Sequence, residues 1–90
     1  MMIIVKKIIT KYFEDIKNGI KNFELRLANF DIKPGDTLIL KEVNPETKEL
    51  TGREIKREVT YVLKTKNIHF WPKEEVDKYG YQIISLKKIA

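Results

Sequence analysis

Three charged side chains lie close together in "GIKNFELR", the stretch from Gly19 to Arg26: Lys21, Glu24 and Arg26. If the residues around Glu24 form a strand, Glu24 and Arg26 stand two apart and share one face of the sheet. Lys21 comes just before that strand, near the end of the same face. A carboxylate set between two cations can orient both. Cations held this way can meet a phosphate, or the polar edge of a base, without repelling one another. The same spacing also describes an ordinary solvated strand face, whose ion pairs are worth ~0–1 kcal/mol. The residue pattern alone leaves both open.

A second candidate lies in "IHFWP". Trp71 and Phe70 are flanked by Lys64, Lys66 and Lys73, and aromatic faces among lysines can stack bases while the cations hold phosphates. The alternative is that Phe70 and Trp71 cap the open end of a barrel, which suits large aromatics in a small domain. His69 is the only histidine and there is no cysteine, so neither residue type can build a metal cluster, and no cofactor is implied. His69 titrates in a range useful for acid–base work, although one loop histidine is more often incidental. No Gly-rich phosphate loop and no Ser/His/Asp set is present. Lys6 and Lys7 are consecutive in an apparent strand, so only one of them can join Lys21 and Arg26.

These residues must be carried by a short series of elements. "MIIVKKI", residues 2–8, is rich in β-branched residues and reads as a strand. Thr10 is a plausible N-cap for a helix over "KYFEDIKN", with Tyr12, Phe13, Ile16 and Ile20 spaced as one core-facing stripe. Lys11, on the polar side, is a further candidate nucleic-acid contact. Lys17 and Gly19 form a helix stop, the glycine supplying the left-handed residue. "NFELRLA" then alternates, which predicts Phe23, Leu25 and Leu27 on the core side with Glu24 and Arg26 facing out. "KPGD" is a turn, "TLILKEV" a strand and "NPETKELTG" a loose hairpin connection. "REIKREVTYVL" predicts Ile55, Val59, Tyr61 and Leu63 on one face. A helical turn after Pro72 and a last strand, "YQIISLKKI", complete the chain. Strand, helix and then four strands do not alternate as a doubly wound sheet does. The expected fold is therefore α+β, mainly β: a small barrel of about five strands with one helix between the first two.

Ninety residues make one domain, 1–90, and 42% hydrophobic content suffices for a core. The formal net charge of +5 is compatible with a polyanionic partner. The apolar start is broken at Lys6 and Lys7, too soon to span a bilayer, and it lacks the marks of a secretory leader. A cytoplasmic protein with no membrane partner is expected.

"YFEDIKNGIKNFELR" resembles the signature region of ASCH domains, relatives of the RNA-binding PUA fold. That signature is a short helix ending in Gly-x-Lys, then a strand carrying Glu-x-Arg, and Gly19, Lys21, Glu24 and Arg26 match it position by position. "KPGDTLIL" is similar to the Gly-Asp that follows in the family, and "GYQIISL" to its last strand. Glu42 with "NPETKELTGRE" is similar to a hairpin found in compact, uncharacterised bacterial and phage members. The resemblance runs from about Lys6 to Leu86. It implies a PUA-like barrel whose cleft beside the first helix accepts RNA or a nucleoside, lined by Lys21, Glu24 and Arg26. It also leaves a hydrolase as an alternative, since some members are ribonucleases or amidohydrolases acting on acetylated cytidine. Lys21 and Glu24 would then be the catalytic candidates. The amidohydrolases carry threonine where Glu24 stands, and a carboxylate cannot replace an alkoxide nucleophile, although it can act as a general base.

Overall fold

The computed structural model describes residues 1–66 and 70–89, and His69 lies outside them. Five strands form one curled sheet: β1 (Ile3–Ile9), β2 (Phe23–Leu27), β3 (Thr37–Val43), β4 (Leu50–Lys64) and β5 (Tyr81–Lys88), with helix α1 (Thr10–Lys17) between β1 and β2 and helix α2 (Lys73–Lys78) before β5. The strand order is β1-β3-β4-β5-β2. β1 runs parallel to β3 and the remaining pairs are antiparallel. The result is a small, mainly β half-barrel with a helix between its first two strands, which matches the expected α+β barrel-like fold while leaving the barrel open.

The order leaves β1 and β2 at the two edges, where the expected barrel would have closed. Across that seam the Arg26 guanidinium donates to the Lys7 carbonyl at 2.7 Å, so a side chain bridges the edges where no ladder does. At the far end of β1, buried Asp36 accepts the backbone N–H groups of Met2 and Lys33, each at 2.9 Å. The "KPGD" turn thus ties down the start of the chain. The Met2 bond, followed by the one from Lys33, holds the Asp36 carboxyl below its ordinary value despite burial.

The core gathers Phe13 and Ile16 of α1 with Ile8, Leu38, Leu40, Ile55, Val59, Ile84 and Leu86 from the strands and Ile32 from a loop. Tyr12 and Ile20, expected in the same stripe as Phe13 and Ile16, are exposed. Thr10 does not cap α1. It is the first residue of the helix, and the N-cap position is taken by Ile9, which makes no side-chain cap bond. Asn44 closes the β3–β4 hairpin as read from sequence, its Oδ1 accepting from Glu46 N at 2.8 Å and Thr47 N at 3.3 Å.

Two strands depart from the simple alternation. In β4 a bulge sets Val59 opposite Leu86 and Tyr61 opposite Ser85, so one extra residue, Thr60, reverses which side each later residue faces. Tyr61 and Leu63 therefore point outward, and Val62 packs against the core in their place. In β2 the whole alternation is inverted: Glu24 is buried while Phe23, Leu25 and Leu27 are exposed. Glu24 pairs with Ile84 and Arg26 with Gln82, both buried residues of β5. The inversion places a charged strand face inside the curl. It is tolerable only because the carboxylate is fully partnered there.

No helix among the described residues is long and apolar enough to cross a membrane.

Candidate functional site

The site begins with the way α1 stops. Gly19 adopts φ +75°, a left-handed conformation that a side chain disfavours. Its N–H donates to the Ile16 carbonyl at 3.1 Å, and the N–H of Ile20 donates to the Asp15 carbonyl at 2.9 Å. Together these form a Schellman closure. The N–H of Lys21 reaches the same Asp15 carbonyl at 3.0 Å, so the backbone of Lys21 is anchored to the helix end. The chain then enters β2, whose inverted face carries Glu24 and Arg26.

Glu24 is 3% exposed and divides its carboxylate between two cations. Oε1 accepts from Lys21 Nζ at 2.7 Å, and Oε2 accepts from Arg26 Nε at 2.8 Å. Both distances are in the short, charge-assisted range. The Lys21 ammonium also lies between two rings, 5.1 Å from the centroid of Tyr12 and 5.2 Å from that of Phe23. This is cation–π distance, and it explains why two large aromatics are kept at the surface. The three charges open into a cleft of about 490 Å³ walled by Tyr12, Phe23, Leu25 and Lys7. The local balance is two cations against one anion, with Lys7 adding to the rim. Guanidinium and ammonium protons not used by Glu24 and Lys7 are available to an anion.

Of the residues singled out from sequence, Lys21, Glu24 and Arg26 come together. Lys7 joins them and Lys6 does not, its ammonium sitting 3.8 Å over the ring of Phe30. Lys11 is not brought to the cleft. It is exposed and pairs with Asp15 at 3.1 Å, because neighbouring helix residues point about 100° apart and Tyr12 takes the cleft-facing direction. Trp71 is not there either. It lines a separate groove on the outer side of the sheet. Neither Phe70 nor Trp71 caps the core: they are 77% and 62% exposed and meet edge to face at 5.9 Å. Among the described residues no group of His, Asp or Glu is arranged to hold a metal ion.

A second buried carboxylate was legible in sequence only as part of the hairpin resemblance. Glu42, 2% exposed, accepts from Thr51 Oγ1, from Arg53 Nε at 2.8 Å and from Arg53 Nη2 at 2.9 Å. The Arg53 bonds, then the hydroxyls of Thr51 and Thr10, hold its carboxyl at about 2, down from 4.5. Arg53 also bonds Glu14 at 2.7 Å and lies 4.7 Å over the ring of Phe13. This cluster clamps the β3–β4 hairpin onto α1, and so fixes the helix whose far end carries Lys21.

Fold and site together define a class: a curled mainly β domain with a charged cleft at the end of its first helix. The chain belongs to the family described as domain of unknown function DUF3850, which matches residues 5–82. Its fold is also similar to that of the crystal structure of the hypothetical protein PH0355. The TM-score is 0.66 at 23% identity, over 99% of this chain and 100% of that one. No curated protein matches.

Proposed function

We propose that the protein is an RNA-binding module of the ASCH type, holding the backbone of its ligand in the cleft of Lys21, Glu24 and Arg26. One observation carries this reading: Glu24 is buried between two cations that both open into a cleft. A wet surface pair would leave the carboxylate in water and would not need aromatic walls around the ammonium. The basic balance of the chain suits a polyanion. A hydrolytic role for Lys21 and Glu24 is the weaker reading, because each carboxylate oxygen faces a cation, as in a fixed anchor.

Filter binding or anisotropy with single-stranded RNA at low salt tests the proposal. Arg26→Ala and Lys21→Ala should each weaken binding and lower the steepness of its log–log salt dependence by about 0.7, the value of one phosphate contact on a single strand. Circular dichroism checks that the variants are folded. Absence of association at low salt, or unchanged affinity in both variants, would overturn it.

A further inference from the structure

The inversion of β2 has a second product on the outer side of the sheet. Leu25 and Leu27 stand there opposite Ile83 and Tyr81 of β5. α2 lies alongside through buried Val76, with Trp71 just before it and Tyr79 just after it. Between these walls runs a groove of about 730 Å³, larger than the cleft. Trp71, Tyr79 and Tyr81 line it, and all three are about half exposed or more. Aromatics of this size are ordinarily mostly buried, and three of them around one open groove make a contact surface.

The groove's surroundings say what would occupy it. Thr65, in its wall, stands between exposed Lys64 and Lys66, while α2 opposes its Lys73, paired with Asp77 at 4.0 Å, and Lys78 with the acidic Glu74 and Glu75. The Lys78 ammonium is 5.1 Å from the ring of Tyr79. An occupant should therefore be flat and aromatic where it meets the rings, and anionic where it meets Lys64 and Lys66. Unpaired nucleobases on a phosphate chain have that chemistry. Glu75 lines the groove as an acceptor, which favours a base bearing an exocyclic amine. The groove and the cleft lie on the two sides of β2 and meet at Leu25, which walls both.

We infer that the groove is a base-stacking subsite for single-stranded RNA whose backbone lies in the cleft, so that one ligand follows β2 across both faces. This rests on the cleft being the RNA site. Trp71 is the only tryptophan, so its emission reports the groove directly. The test titrates the protein with labelled short oligoadenylate, following anisotropy for binding and tryptophan emission for stacking. Saturable quenching by the single strand is expected, with a matched duplex leaving the emission unchanged. Tyr81→Ala and Trp71→Ala should each weaken binding by about 5- to 150-fold, the range for losing one stacked base. Trp71 lies outside the strands and helices, so its variant keeps the test interpretable if the β5 variant fails to fold.

Binding that depends on Arg26 but leaves emission and both aromatic variants unaffected would overturn the groove and leave the cleft reading intact. Quenching with affinity indifferent to Arg26→Ala would overturn the cleft reading instead. Quenching that follows protein concentration without RNA, with a matching rise in mass, would replace the RNA subsite by self-association.

Discussion

Glu24→Gln separates a buried anchor from a wet ion pair. The substitution keeps the shape of the side chain and one carbonyl oxygen, which can still accept from Arg26 Nε. The other carboxylate oxygen becomes an NH2 group aimed at the Lys21 ammonium 2.7 Å away, a donor facing a donor. A hydrogen bond to a charged group contributes about 1.5–3 kcal/mol. Removing one partner of a fully buried ion pair costs about 3–5 kcal/mol. The Lys21 side chain is 18% exposed and can turn toward water, so the larger figure is not reached. A loss of about 2 kcal/mol follows, which is roughly 8–16 °C in Tm for a domain of this size. Thermal unfolding followed by circular dichroism at neutral pH measures it. A fall of no more than about 4 °C would refute the reasoning, since an exposed surface pair worth about 0.5 kcal/mol would give that much. The same variant should still bind RNA at low salt, with a salt dependence at least as steep as before, because the site has lost its one negative charge.

The Glu42 clamp makes a pH prediction. Its folded carboxyl titrates near 2 and its unpaired value is 4.5. Its contribution is therefore fully present above about 4.5 and fades as the pH falls toward 2. The Tm gap between the protein and Glu42→Gln should accordingly narrow over that window, and a constant gap would refute it. Gly80→Ala should lower Tm more than Gly19→Ala. Both glycines have positive φ, but a Cβ at Gly80 would meet the Cβ of Lys66 at 2.8 Å, whereas nothing lies within 4 Å at Gly19. The left-handed conformation alone costs about 1–2 kcal/mol with a side chain. Equal losses would mean that the segment around Lys66 yields freely.

Much of this architecture is legible in the sequence, for reasons that can be named. Gly19 after a helical stripe, the turn at Pro34-Gly35 and the β-branched run of β1 are local signals, and local structure follows them. β2 is the failure of alternation as a guide. Period two says that Phe23, Leu25 and Leu27 share a face but does not say which side that face takes. Here the charged row went inward, because Glu24 finds both its cations within three residues. The only pointer to that outcome was the Gly-x-Lys and Glu-x-Arg spacing itself. β4 fails differently, since no residue type at Thr60 announces a bulge, yet that single residue sends Tyr61 and Leu63 outward. Of the outer groove only Trp71 and the lysines around it were legible, and its other walls were not. It needs β2, β5 and α2 side by side, and that arrangement is a property of the strand order.

The seam between β1 and β2 has a consequence for solubility. Unpaired strand edges are templates onto which a strand of another molecule can add, and natural sheets guard them with charge and brevity. β2 is five residues long, and the gap it shares with β1 is occupied by Arg26, with Lys7 and Lys21 alongside. An incoming strand would have to strip water from these cations and break the Arg26 bond to Lys7 before gaining its first ladder hydrogen bond. The cations that equip the cleft for an anion thus also deter chain-to-chain growth at the two edges of the sheet.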